Sequence, residues 1–356
     1  MVSSAKQLAI ALIIVALGAG CGSQTEPVSA DTPRNANSIR GAGATFPSLL
    51  YKKWFEVYQQ SHPQTSISYD AVGSGEGVRR FIGANIKDEE RIDFGASDAA
   101  MTDEQIAQVN GGALLLPATG GCVTLSYNLP GFHGDLRLSR RAYSRIFLGQ
   151  IRNWSDPLIA ESNPGVTFPD LSLVTVVRQD SSGTTYAFTN HLNATNEVWR
   201  AQYGAENLVN WPGSAMRAEG NEGVAGRIQH SEGSIGYVGY EFAHRLGLPM
   251  ALIENKTGTF VKPDAQSCTR ALGSAEMPEN FRLYVPDPEG ANAYPIATFS
   301  WILLYKNYPA EKASALHDLF AWGLRYGQQY APDLGYVPLP PDVASKALTA
   351  LDTLSK

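Results

Sequence analysis

The sequence predicts an α/β protein, and three observations carry that prediction. From Ile39 onward, strand-like segments alternate with helix-like ones. Gly, Ser and Thr recur where a strand gives way to a helix. The run Leu173 to Val177 is almost wholly apolar, as expected of a central strand covered on both faces. At 356 residues the chain has room for two ordinary domains.

The elements follow in order. Pro47 to Gln60 reads as a helix, with Pro in its first turn and Leu50, Trp54 and Tyr58 at i, i+4, i+8. Ser66 to Ala71 alternates polar and apolar like a half-buried strand. Gly77 to Asn85 is a second helix and Ile92 to Gly95 a short strand. Thr102 to Val109 is a helix with Thr102 as N-cap and Asp103 and Glu104 in its first turn. Ala113 to Leu116 and Cys122 to Tyr127 read as two strands. Ser139 to Leu148 is helical. After the Leu173 strand come helices at Thr184 to Leu192 and near Asn196 to Tyr203. Helices at Gly223 to Gln229 and Glu241 to Leu246 bracket a strand at Ser234 to Val238. Ala297 to Tyr305 is a strand, and Ala310 to Tyr326 and Pro341 to Leu354 are helices.

Composition excludes some functions. The net charge is −6 and only 17% of residues are charged. A mildly acidic chain lacks the basic face that nucleic acid needs. An anion, if bound, must be held locally, largely by backbone dipoles. The N-terminus reads as a secretory signal: Lys6, the apolar run Leu8 to Leu17, small residues Gly18, Ala19 and Gly20, then Cys21. The run is too short to span a bilayer as a helix. Cys after small residues resembles a bacterial lipobox, although Gly18 stands where Leu is usual; Cys21 is the expected lipidation site, and plain secretion is the alternative. Residues 22–38 are polar and Pro-containing, an expected tether. In an oxidising compartment Cys122 and Cys268 could pair or remain two buried thiols.

Four segments share one design: Gly41–Pro47 (GAGATFP), Gly73–Gly77 (GSGEG), Gly95–Asp98 (GASD) and Arg178–Thr184 (RQDSSGT). Each places small or hydroxyl residues at a strand-to-helix turn. Such turns expose unpaired N–H groups and the positive end of a helix dipole. Small residues let an anion approach the backbone, and hydroxyls add donors. Any one Ser or Thr is more simply an N-cap; four such turns and an Arg at a strand end favour a shared oxyanion site.

GAGATFP, GSGEGV, DFGASD and VVRQDSSGTTYAF resemble, in order, motifs of the phosphate-binding proteins of bacterial phosphate ABC transporters. The resemblance continues through WPGSAMRAEGNEGVAGRI, GSIGYVGYEFA and YPIATFSWILLYK, covering residues 39 to about 350. It implies a two-domain periplasmic binding protein fold with a ligand cleft between the domains. Domain I would be discontinuous, residues 39–128 plus 295–356, and domain II residues 129–294. By position, the phosphate ligands would be Thr45, Phe46 (through its N–H), Ser74, Asp98, Arg178, Ser182, Gly183 and Thr184, with Asp180 orienting Arg178. The implied partners are inorganic phosphate and a membrane ABC permease, for a monomer anchored outside the cytoplasmic membrane; no cofactor, metal or catalytic residue is implied.

The residue chemistry suits that reading. An Arg fork matches a tetrahedral oxyanion. A carboxylate accepts but cannot donate, so Asp98 suits phosphate, which keeps a proton at pH 7, and opposes sulfate, which does not; the simpler reading is a helix cap. Two departures from the family pattern are Glu76, expected to face solvent, and Ser181 in place of Gly. The chain lacks G-x-S-x-G, a Walker A loop and H-E-x-x-H, and its six histidines read as isolated surface residues. Trp54, Trp199, Trp211 and Trp301 read as core or cleft wall. The alternatives are a binding protein for another oxyanion and, less well supported, a phosphate-ester hydrolase.

Overall fold

The computed structural model describes residues 37–355. The signal segment, Cys21 and nearly all of the tether lie outside the described residues. β1 (Ser38–Gly43) already begins at Ser38, the last residue assigned to the tether. α1 (Ser48–Ser61) follows, burying Leu50, Trp54 and Tyr58 as their spacing demands. Then come β2 (Ser66–Ala71), α2 (Ser74–Ile82), β3 (Phe94–Ser97) and α3 (Asp103–Ala107). Thr102 caps α3 in a capping box with Gln105. β4 (Ala113–Tyr127) is one strand of 15 residues, not the two expected. Pro117 and the pair Gly120-Gly121 read as a break, but β4 absorbs the proline at a bulge opposite Ser300 and Trp301.

The second stretch contains β5 (Arg137–Leu138), α4 (Arg140–Phe147), α5 (Pro157–Glu161), β6 (Val174–Arg178), α6 (Gly183–Thr195) and α7 (Glu197–Gln202). It continues with β7 (Met216–Ala218), α8 (Gly220–His230), β8 (Ser234–Gly239), α9 (Tyr240–Arg245), β9 (Leu252–Glu254), β10 (Phe260–Val261) and α10 (Ala265–Leu272). The chain closes with β11 (Ala297–Tyr305), α11 (Ala310–Arg325) and α12 (Pro341–Leu351).

Eight strands form one sheet in the order β2-β1-β3-β11-β4-β8-β6-β7, and β10-β9-β5 form a small second sheet. β1, β2 and β3 run parallel, as do β6, β7 and β8. The two sets are joined through antiparallel β11 and β4. The register decides where their ends fall. Ser97, at the end of β3, pairs with Trp301, which pairs with Pro117 of β4. Gly239, at the end of β8, pairs with Val123 of β4. The carboxyl ends of both parallel sets therefore meet around the middle of β4, where open α/β sheets hold their ligands.

Cys122 in β4 and Cys268 in α10 form a disulfide, with Cα atoms 5.5 Å apart. This resolves the pairing that the sequence left open. His191 departs from the expected surface placement: it is fully buried on α6. Its Nδ1 lies 2.6 Å from the Pro286 carbonyl, which only accepts, so Nδ1 carries the hydrogen. Its Nε2 then accepts from the Tyr143 hydroxyl at 2.8 Å. Trp54, Trp199, Trp211 and Trp301 are buried, as expected.

Candidate functional site

Each of the four Gly/Ser/Thr segments leaves the carboxyl end of a strand. β1 leads to Thr45 and Phe46, β2 to Ser74, β3 to Asp98, and β6 ends at Arg178. The structure brings these ends together. Asp98 N–H donates to Ser74 Oγ at 3.2 Å. A Cβ built on Gly183 would lie 2.6 Å from both Ser74 Oγ and Asp98 Cβ. Only glycine lets α6 begin so close to the opposite loop. Gly75 N–H donates to the Ser181 carbonyl at 3.0 Å, and the Ser181 hydroxyl occupies the space a side chain at position 75 would need. Ser181, a departure from the family pattern, is thus matched by Gly75.

Arg178 is 2% exposed, too deeply placed for its pairing with Asp180 to be a surface ion pair. Its Nε donates to Asp180 Oδ1 at 2.7 Å, and its Nη2 pairs with Asp180 Oδ2. Asp180 Oδ1 also accepts from Gly220 N–H at 3.1 Å. The Arg178 N–H donates to the Tyr237 hydroxyl at 3.0 Å, fixing the strand end. With the fork held on one side, Nη1 is left buried without a hydrogen-bond partner. A buried, charged donor in that state calls for an acceptor.

Asp98 is 1% exposed and caps no helix, since Thr102 does that for α3. Ser300 Oγ donates to Asp98 Oδ1 at 2.7 Å. Burial pushes the Asp98 pKa up to about 7, against the Ser300 hydrogen bond, the Arg178 charge and the Ser74 hydrogen bond, which lower it. Nearby Glu241 is also buried, with both carboxyl oxygens unpartnered. Desolvation first, and the Asp98 charge after it, hold Glu241 well above the usual carboxylate range.

The hydroxyls are arranged as donors. Ser182 Oγ accepts from Thr185 N–H at 3.1 Å, capping α6, so its own hydrogen is free to point elsewhere. Thr45 and Thr184 are both buried, and both accept from the Asn221 side chain at 3.0 Å. Phe46 turns its ring into the core against Gly121 and Tyr336, and its carbonyl accepts from the Tyr336 hydroxyl at 2.6 Å. Outside these buried groups a cleft of about 520 Å³ is lined by Thr45, Ser48, Ala71 and Val72 on one side and Asp180, Glu219, Gly220 and Glu222 on the other. Its wall is acidic, so any anion is held by the deep donors and not by a positive mouth.

A profile of the PBP superfamily domain matches residues 28–322. The phosphate-binding protein PstS of Pasteurella multocida is 38% identical over 317 residues, covering 87% of this chain and 89% of that protein. The PstS of Haemophilus influenzae is 36% identical and that of Methanocaldococcus jannaschii 34%, the latter covering 98% of this chain and 95% of its own. The chain belongs to the PstS phosphate-binding protein family.

Solved structures agree on the fold. A high-affinity periplasmic phosphate-binding protein bound with phosphate superposes with a TM-score of 0.74 at 22% identity, covering 88% of this chain and 93% of that one. A phosphate-binding protein from Stenotrophomonas maltophilia gives 0.72 at 19% identity, covering 88% and 93%. The two-domain periplasmic binding fold expected from the sequence is thereby established.

Two further residues bond to these buried groups: Ser300, which donates to Asp98, and Asn221, which donates to Thr45 and Thr184. Both lie in segments that carry the resemblance, but their contacts cross 202 and 176 positions of sequence, which no local pattern encodes. Glu76, expected to face solvent, is partly exposed, with 30% of its side chain accessible. It bonds Arg79 and Arg80 at 2.7 and 2.8 Å. The Arg79 hydrogen bond, partly opposed by burial and helped by Arg80, lowers its pKa to about 2.

Proposed function

We propose that this protein binds inorganic phosphate between the loop ends of Thr45, Phe46, Ser74, Asp98, Arg178, Ser182, Gly183 and Thr184 and delivers it to an ABC-type importer. The observation that carries the reading is the pairing of an unsatisfied, buried Arg178 Nη1 with a buried acceptor, Asp98, among hydroxyls set to donate. A ligand for such a site needs several acceptor oxygens and at least one proton to give. Protonated phosphate meets both needs; sulfate lacks the proton.

Residues 39–128 with 295–356 form one lobe and residues 129–294 the other, with β4 and the approach to β11 as crossovers. The division of β4, whose Ala113–Cys122 part pairs with β11 and whose Val123–Tyr127 part pairs with β8, supports a crossover within this strand, a few residues ahead of position 128. Phosphate touches both lobes, so it favours the closed form, and the closed form is what a permease docks. The protein acts as a monomer outside the cytoplasmic membrane, tethered through lipidated Cys21. No helix among the described residues is long and apolar enough to cross a membrane. Its role is capture, not turnover. Calorimetry on the delipidated protein tests the reading: tight phosphate binding with negligible sulfate binding supports it, and equal affinity for both ions overturns it.

A further inference from the structure

Asn221, at the start of α8, is fully buried and spans the cleft. Its backbone N–H donates to Thr45 Oγ1 at 3.2 Å, and its Nδ2 donates to the same oxygen at 3.0 Å. The Nδ2 group also donates to Thr184 Oγ1 at 3.0 Å. Its Oδ1 accepts from Gly239 N–H at 3.0 Å, which fixes the amide's orientation: the oxygen faces a donor, so the two amide hydrogens face the two hydroxyls. A hydroxyl has one hydrogen to give and two acceptor positions. Thr45 Oγ1 has both acceptor positions filled by Asn221, so its hydrogen must be donated elsewhere.

Resting on the phosphate-site reading above, we infer that Asn221 is a closure latch and positioning residue, which bridges Thr45 and Thr184 across the cleft and turns the Thr45 hydroxyl into an obligate donor toward the bound oxyanion. Thr45 belongs to one lobe, and Asn221 and Thr184 to the other. The bridge to Thr45 therefore exists only when the cleft is shut. It serves twice: it holds the closed state, and it removes the hydroxyl orientation in which a lone pair would oppose the anion. Gly220, with φ +64°, lets this turn approach Thr45, since a Cβ there would lie 3.2 Å from Thr45 Cγ2.

The test is a double-mutant cycle on Asn221→Ala and Thr45→Val, reading phosphate affinity, phosphate dissociation rate and ligand-free melting temperature. Asn221→Ala weakens phosphate binding about 10- to 100-fold, mostly through faster dissociation, with little change in ligand-free melting. The double variant is scarcely worse than the poorer single one, because the two residues act as a unit. Should Asn221→Ala destabilise the fold by orphaning Gly239 N–H, Asn221→Asp retains that acceptor while removing both amide hydrogens, and phosphate affinity and dissociation are read on it in the same way. Unchanged affinity in these variants, or additive losses, overturns the latch while leaving phosphate binding intact. Absence of phosphate binding by the unaltered protein instead sinks the reading on which the latch rests.

Discussion

Asp98→Asn separates charge from shape at the residue that should choose between oxyanions. Asn keeps an oxygen to accept from Ser300 Oγ, now 2.7 Å from Asp98 Oδ1, and places an amide donor where the second carboxylate oxygen stood. For sulfate, the substitution replaces an unmatched, like-charged acceptor with a donor. Buried mismatches of that kind reject a ligand by about 10⁴–10⁵, so sulfate affinity should rise at least about 100-fold. For phosphate, one charge-assisted bond worth about 1.5–3 kcal/mol is lost, while repulsion between Asp98 and the anion disappears. The two offset, and phosphate affinity should stay within about tenfold. Lowering pH should imitate the substitution in the unaltered protein. Asp98 titrates near 7 because burial raises it, so below that pH it carries a proton and can donate to sulfate. Calorimetric titration of both ions between pH 8 and pH 5 reads all of this. A variant that still excludes sulfate, and a wild type whose selectivity is flat across that range, would refute the role assigned to Asp98.

Other predictions follow from the same geometry. Arg178→Ala removes the charge that faces the ligand and should weaken phosphate binding by at least about 10- to 150-fold, measured by calorimetry. Gly183→Ala puts a methyl 2.6 Å from Ser74 Oγ and Asp98 Cβ and 2.8 Å from the Asp98 carbonyl carbon; it should prop the lobes apart, visible as a larger radius of gyration in saturating phosphate. His191 is held neutral by burial, with a pKa lowered to about 4. The unfolded chain binds a proton that the native state refuses, so stability is full above about pH 6.5 and falls as pH drops towards 4, by roughly 3 kcal/mol; the difference between wild type and His191→Gln in how the urea-unfolding free energy changes with pH isolates this contribution. Reducing the Cys122–Cys268 disulfide frees a loop of sequence separation 146 and should lower stability by about 2–5 kcal/mol, measured by denaturant unfolding with and without reductant.

Much of the architecture was legible because it is local. Ser66–Ala71 and Ala297–Tyr305 match the expected strands end to end, and Thr102 caps its helix as its spacing to Gln105 allows. The four loop segments were legible because small residues at strand ends leave few other uses for a backbone. What failed was tertiary. β4 looked like two strands because Pro117 and the paired glycines are breakers in isolation, and only the bulge against β11 accommodates them. The small β10-β9-β5 sheet was missed, since its strands are two or three residues long and carry no period. His191 looked like a surface residue because nothing near it in sequence announces Tyr143 or Pro286 as partners. Asn221 and Ser300 likewise act through contacts made only after folding.

The most direct measurement is a crystal structure of the protein grown with phosphate. One phosphate should lie within hydrogen-bond distance of the Thr45, Ser74, Ser182 and Thr184 hydroxyls, Arg178 Nη1 and an Asp98 oxygen, sealed from solvent. A phosphate seated in the outer acidic cleft instead, or touching the loops of one lobe alone, would contradict the account.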